Sequence, residues 1–264
     1  MTSGVRAAAG DGRHPTPTAD GRDVQVLRVD RELGDMLGPV ERARAEAAAR
    51  ARAIDVRAGR WDVPLAPDRF RGWLGLLMVR GLLARHVEIG AMGWTELLGP
   101  GDLLQPWTHV SETASTLPAE ARYEVIEPAR MAVLDRAFAL RVAPWPEIAA
   151  ALLARSIERT RWLTYHLAAG QPARIDERAW MALWHLADRF GRVTPRGVEL
   201  VLSGLTHEVL AVMLGARRPT VSSALRRLVE LGLVTQPRRG EWLLHGEPSA
   251  GLARIAAAAP SAAV

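Results

Sequence analysis

Two short amphipathic helices meeting across Gly215 constrain this chain more than anything else in its 264 residues. Leu205-Thr206 opens the segment. Thr206 is suited to cap a helix, and Glu208 in the first turn complements the helix dipole. The spacing predicts a helix over 209–214 that buries Leu210 and Leu214, with Ala211 keeping its surface low. Gly215 breaks it, at a position where a positive φ is allowed. Pro219 fits the first turn of the next helix, where its missing N–H has no partner to lose. That second helix, 217–231, turns Val221, Ala224, Leu225 and Leu228 inward and leaves Arg218, Ser222, Ser223, Arg226 and Arg227 more outward. Ala211, Gly215 and Val221 put a small residue, a glycine and a β-branched residue at the spacing that lets two such helices cross tightly.

A basic hairpin follows. Leu233-Val234-Thr235 and Trp242-Leu243-Leu244 flank Pro237-Arg238-Arg239-Gly240, which predicts a strand, a turn with a cationic tip and a strand. All 34 basic residues of the chain are arginine, which the coding bias of a GC-rich, alanine-rich sequence accounts for. Bias does not decide where they sit. Between Thr206 and Arg239 there are six arginines against two acids, a local net of +4 in a chain whose whole excess is +5. Such a footprint suits a polyanion, and a helix presented across a tight turn fits a DNA major groove about 12 Å wide. On this basis Arg218, Ser222 and Ser223 are the expected base contacts. Thr206, Arg217, Thr220, Arg226, Arg227, Arg238 and Arg239 are the expected backbone contacts. The plainer alternative for Arg226 and Arg227 is ion pairing with Glu230 at helical spacing.

Upstream, residues 1–22 are rich in Gly, Pro, Thr and Asp without periodicity and read as a disordered tail. An alanine- and arginine-rich run over 33–54 predicts a helix. Over 56–140 short apolar runs (73–80, 86–89, 94–98, 123–126 and 131–134) alternate with turn signals such as Gly90-Ala91-Met92-Gly93 and Gly99-Pro100-Gly101-Asp102, the pattern of an antiparallel barrel or sandwich. Pro144 and Pro146 then introduce a long helix, about 146–168, closed by Gly170 and Pro172. Its arginines at 155, 159 and 161 interrupt a clean heptad seam. Pairing with a second copy and packing within one chain both remain open for it. A helix over 176–190 and a strand over 198–202 precede the reading segment, and the Ala/Ser/Gly-rich stretch from Pro248 reads as frayed.

The run LTHEVLAVMLGARRPTVSSALRRLVELGLVTQPRRGEWLL resembles the DNA-binding domain of the Crp/Fnr family of bacterial regulators. The order upstream is similar to that family's layout of an N-terminal β-roll of the cyclic-nucleotide-binding type, a long dimerisation helix and a winged helix. The resemblance implies that Arg218 is the arginine that reads a guanine, and the chemistry agrees, since a guanidinium fork can donate to guanine O6 and N7 together. Pro219 replaces the family's usual glutamate, and Ser223 stands where a second arginine is common. These departures leave the fold alone and the operator sequence open.

In the sensor half the Gly99–Asp102 turn is similar to the family's "GPGD" turn. The chain continues Leu103-Leu104-Gln105-Pro106-Trp107, without the Gly-Glu pair and the later Arg-Ser/Thr-Ala that hold ribose and cyclic phosphate in nucleotide-binding members. Cyclic AMP binding in that mode is therefore not expected. The absence of cysteine excludes a Cys-ligated iron–sulfur cluster, and haem through His86 or His109 stays only formally open. Trp73, Trp94 and Trp107 are candidates for an apolar effector pocket, with plain core packing as the alternative.

No nucleophile elbow, P-loop, dinucleotide fingerprint or paired-histidine zinc motif is present, so an enzyme is not expected, nor any metal or cofactor. No apolar run approaches the ~20 residues of a membrane span, and a cytoplasmic protein is expected. The sequence thus predicts an α+β chain: a tail (1–22), a β-roll sensor domain (23–143), a dimerisation or linker helix (144–171), a winged helix-turn-helix (172–246) and a flexible tail (247–264). Double-stranded DNA and a second copy of the chain are its expected partners, RNA polymerase is a candidate, and any small-molecule effector is unidentified. The competing expectation is a winged helix used for protein interaction without specific DNA binding.

Overall fold

The computed structural model describes residues 23–63, 73–90, 92–105 and 119–258. The expected 1–22 tail lies outside them, as do Trp107 and His109. The architecture is α+β. A seven-stranded antiparallel sheet is built from β1 (Asp23–Gln25), β2 (Arg50–Val56), β3 (Gly59–Trp61), β4 (Gly75–Ile89), β5 (Met92–Leu98), β6 (Leu103–Leu104) and β7 (Glu120–Leu134). Its order is β1-β2-β7-β4-β5, with β3 also on β7 and β6 also on β4. The short helices α1 (Val26–Val29) and α2 (Pro39–Ala48) sit at its start and α3 (Arg136–Val142) at its end. Asp135 caps α3, accepting a hydrogen bond from the Phe138 N–H at 2.9 Å.

Two expectations are corrected here. The predicted helix over 33–54 is a 3-10 turn at Arg31–Gly34, then α2, then strand β2. The strand wins over alanine's helix propensity because Ala51 and Ala53 bury one face and Ile54 and Val56 the other, while β2 pairs with β7 from Arg52↔Val133 to Val56↔Ala129. The short runs at 73–80 and 86–89 merge into β4, and those at 123–126 and 131–134 merge into β7. Where a break was expected the pair has bulges, between Met78 and Leu83. Gly81 sits in them with φ +91°, and a Cβ there would lie 2.5 Å from the Pro128 carbonyl. Only glycine fits that approach.

The β4–β5 hairpin is covered on both faces. Leu83 and Leu98 enter the apolar interior of the roll with Trp61, Leu76, Met78, Tyr123 and Met131. Leu82, Ala84 and Leu97 point the other way, into a core shared with the C-terminal region. This explains runs without polar alternation.

Helix α4 (Pro146–Ala169) leaves the sheet, and α5 (Ile175–Phe190) turns back against it. Arg155 and Arg159 face inward: Arg155 binds Asp30 (2.6 Å), Glu32 (3.1 Å) and the Gly101 carbonyl (3.0 Å), and Arg159 binds Asp102 (2.9 Å) and Glu96. The opposite face exposes Leu153, Ile157, Thr160, Thr164 and Leu167, at alternating steps of four and three. Two of the three arginines expected to interrupt the seam are thus drawn off this face.

The C-terminal region comprises α5, the hairpin β8 (Gly191–Thr194) and β9 (Gly197–Val201), α6 (His207–Met213), α7 (Arg218–Glu230), β10 (Val234–Arg238), β11 (Glu241–Leu244) and α8 (Pro248–Ala257). Its sheet runs β10-β11-β9-β8. The stretch expected to fray is instead α8, with Gly251 against the Trp180 ring, Ile255 fully buried and the Pro248 carbonyl accepting from Trp180 Nε1 at 2.9 Å. Its small residues are what lets it lie so close to Trp180. No described helix is long and apolar enough to cross a membrane.

Candidate nucleic-acid interface

The Thr206 hydroxyl accepts from the Val209 N–H at 3.2 Å and starts α6. Gly215 ends the helix with φ +58°, and the Ala216 N–H returns to the Ala211 carbonyl at 2.9 Å. Arg217 stands at the N-cap of α7, and Pro219 lies in its first turn. Val221, Ala224, Leu225 and Leu228 are buried, as the periodicity requires. Arg217, Arg218, Thr220, Ser223 and Arg226 are exposed.

The hairpin β10–β11 rises beside this helix. Gly240 makes its turn at φ +79°, and a Cβ there would meet the Leu202 carbonyl at 2.7 Å. Arg238 and Arg239 are exposed at the tip. Between the hairpin and the starts of α6 and α7 lies a cleft of about 730 Å³. Thr206, Arg218, Arg238 and Arg239 line it, with His207, Glu208 and Gln236. Four residues expected to touch one partner therefore converge on one concave surface.

Two of the expected contacts have partners within the chain. The half-buried Ser222 hydroxyl is 2.9 Å from His207 Nδ1. Arg227 turns back to Asp176 at 3.3 Å and donates to the Ala258 carbonyl, so its carboxylate partner is not the Glu230 weighed from sequence. Burial by itself would raise the Asp176 carboxyl, but Arg174 and Arg227 hold it below its ordinary value. Sequence reasoning missed His207 and Gln236. His207 adjoins the capping Thr206, which is a signal, but its partner fifteen residues away is not one a single sequence reveals. Glu208 was read only as a dipole partner, yet it also lies 3.7 Å from Arg218. Both groups are solvated, so that pair is a weak constraint on Arg218.

Of the tryptophans suggested for an effector pocket, the two described ones, Trp73 and Trp94, do not gather. Trp73 packs on the roll interior, beside the core holding Trp61 and Tyr123, whose rings meet edge-on at 6.1 Å. Trp94 of β5 meets His166 of α4 edge-on at 5.4 Å. That second contact belongs to a joint between the two regions, where Trp162 stacks on His185 of α5 at 4.1 Å and His166 lies 5.8 Å from His185. Burial lowers the pKa of His166, and burial with the neighbouring His166 and Arg189 lowers that of His185 to about 4. Both imidazoles are neutral near pH 7. No group of three or more metal-ligating side chains occurs among the described residues.

Comparison with known proteins bears on this geometry. Residues 177–246 match the family model for the Crp-like helix-turn-helix domain. No curated protein matches the chain in sequence. Among solved structures, a CooA variant from Carboxydothermus hydrogenoformans is similar with a TM-score of 0.61 and 19% identity, over 89% of this chain and 97% of that one. A cyclic nucleotide-binding domain-containing protein from Listeria monocytogenes gives 0.58 and 19%, over 72% and 87%. A CRP-family transcriptional regulator from Thermus thermophilus gives 0.51 and 22%, over 78% and 97%. At these identities the likeness is one of fold, and it extends through both the sheet and the C-terminal region.

Proposed function

We propose, for a chain that carries a Crp-like helix-turn-helix domain in the fold of the Crp/Fnr regulators, a sequence-specific DNA-binding transcription regulator that acts as a homodimer on a palindromic operator. The observation that carries this is the convergence of Arg218 and Thr206 with the wing arginines Arg238 and Arg239 on one cleft beside an exposed helix face. In this assignment Arg218 and Ser223 face bases, while Arg217, Thr220, Arg226, Arg238 and Arg239 face phosphates. Thr206 contributes through the cap it forms. Ser222 acts by holding His207, and Arg227 by holding α7 on α5, so neither is a direct contact. The residues 23–143 form the sensor domain and 172–258 the DNA-binding domain, which now includes α8.

The exposed α4 face supports the dimer. Leu153, Ile157 and Leu167 are 62%, 49% and 66% exposed, at the spacing of a coiled-coil seam. Pairing there would place two recognition helices about 34–36 Å apart, one DNA turn. The described roll interior is lined by large apolar side chains, including Trp61 and Tyr123, which disfavours a cyclic nucleotide there and favours either no effector or an apolar one.

Selecting bound fragments from a random DNA pool with the purified chain tests the proposal. A palindromic motif is the expected result. Absence of enrichment, together with binding that ignores salt, would point instead to a protein-interaction module. Arg218→Ala is expected to weaken operator binding by roughly 1–3 kcal/mol and to relax preference at one base step per half-site, read from the selected motif. Arg239→Ala should lower the salt slope of binding by about 1 with the motif unchanged, whereas Arg227→Ala should lower thermal stability and leave the slope alone. Equal slopes for the Arg239 and Arg227 variants would refute that division.

A further inference from the structure

Five charged side chains form a network where the sheet, α4 and α5 meet. Glu96 of β5 is fully buried and binds Arg85 of β4 at 2.5 Å and Arg159 of α4. Asp102, 6% exposed in the Gly99–Asp102 turn, accepts from the Gly99 N–H at 2.7 Å and binds Arg159 at 2.9 Å through its other oxygen. It also pairs with Arg189 in the last turn of α5. The Arg189 guanidinium lies 5.0 Å over the Phe190 ring and 5.8 Å over Trp162. Phe190 in turn rests on Gly99, where a Cβ would be 2.7 Å from its ring edge.

One carboxylate thus touches both the helix that carries the exposed seam and the first helix of the DNA-binding domain. Only five residues, Gly170 to Arg174, connect those helices, and nothing in a short connection fixes the angle between them. Burying three guanidinium groups around two carboxylates is a poor way to gain stability, since desolvation offsets most of the attraction. What such a network does well is select one geometry, because each oxygen must meet its own partner.

We propose that Asp102 is a positioning residue for DNA reading, holding the winged helix at one angle to α4 by binding Arg159 and Arg189 together. The inference rests on the dimeric operator reading above. In a dimer joined along α4, that angle sets the separation of the two recognition helices, so Asp102 governs which half-site spacing is accepted and leaves half-site sequence untouched.

The test is selection from a pool in which two half-sites are separated by spacers of varied length, comparing the wild type with Asp102→Asn and Arg189→Gln. The wild type is expected to enrich one spacer. Both variants are expected to keep the half-site motif, to accept neighbouring spacers, and to lose about tenfold in affinity at the preferred one. A merely structural role would lower binding at every spacer alike, and unchanged spacer preference in both variants would overturn the proposal.

If the wild type selects no palindrome, the operator reading fails and the positioning role is still decided by a distance measurement. The chain has no cysteine, so Glu120→Cys on β7 and Glu230→Cys at the end of α7 accept spin labels cleanly. A narrow distance distribution that broadens with Asp102→Asn supports the role, and an identical narrow distribution refutes it.

Discussion

Trp180→Ala should cost about 3–5 kcal/mol of stability, the largest loss expected from a single truncation in this protein. The ring is fully buried at the centre of the C-terminal core, edge-on to Trp184 at 5.6 Å. Its indole N–H donates to the Pro248 carbonyl at 2.9 Å, and Gly251 of α8 lies directly on it. Alanine would leave a cavity under α8 and free a carbonyl that begins that helix. α8 also receives Arg227 at its last carbonyl and sends Arg254 to the Leu231 carbonyl at the end of α7, so the damage reaches the recognition helix. Denaturant unfolding measures the loss, and amide exchange over 248–258 shows whether α8 loosens first. Trp180→Phe, which keeps most of the volume without the donor, should recover more than half of it. A loss below about 1 kcal/mol for Trp180→Ala would mean that α8 does not depend on this anchor.

The second large effect is acid sensitivity at the joint between α4 and α5. His185 takes up a proton near 6.5 when unfolded and only at about 4 when folded. The unfolded chain therefore binds the proton first as pH falls. The stabilisation is complete above about 6.5 and disappears as pH drops towards about 4. A displacement of that size corresponds to roughly 3 kcal/mol, and His166, lowered for the same reason of burial, adds in the same direction. Two imidazolium ions beside Arg189 would force apart the packing of Trp162 on His185. The expected result is a steep fall in unfolding free energy between pH 7 and 4.5 that flattens in His185→Phe, which keeps a ring to stack on Trp162. An equally steep fall in that variant would exclude His185 as the source.

The reading elements were legible because their signals are local. The Thr206 cap, the positive φ at Gly215, Pro219 in the first turn of α7 and its inward Val221, Ala224, Leu225 and Leu228 each depend on residues within a few positions. The order of sheet, long helix and winged helix followed from the spacing of turn signals and prolines and from the family resemblance. The failures share a cause. Ala51 and Ala53 look helical until β1 and β7 offer them partners, and the small residues after Pro248 look unstructured until Trp180 gives them a surface.

Charge was the least legible property. Sequence alone established how many arginines there are and that six of them, against two acids, lie between Thr206 and Arg239. It could not establish that Arg155 and Arg159 are drawn off the α4 seam by acids at 30, 96 and 102, or that Arg227 answers Asp176 while Arg226 faces solvent. Helix periodicity and capping are set by neighbours a turn away, so a single chain of letters carries them. Which carboxylates Arg155, Arg159 and Arg227 meet is set by elements more than fifty residues apart, and that only the packed tertiary structure decides.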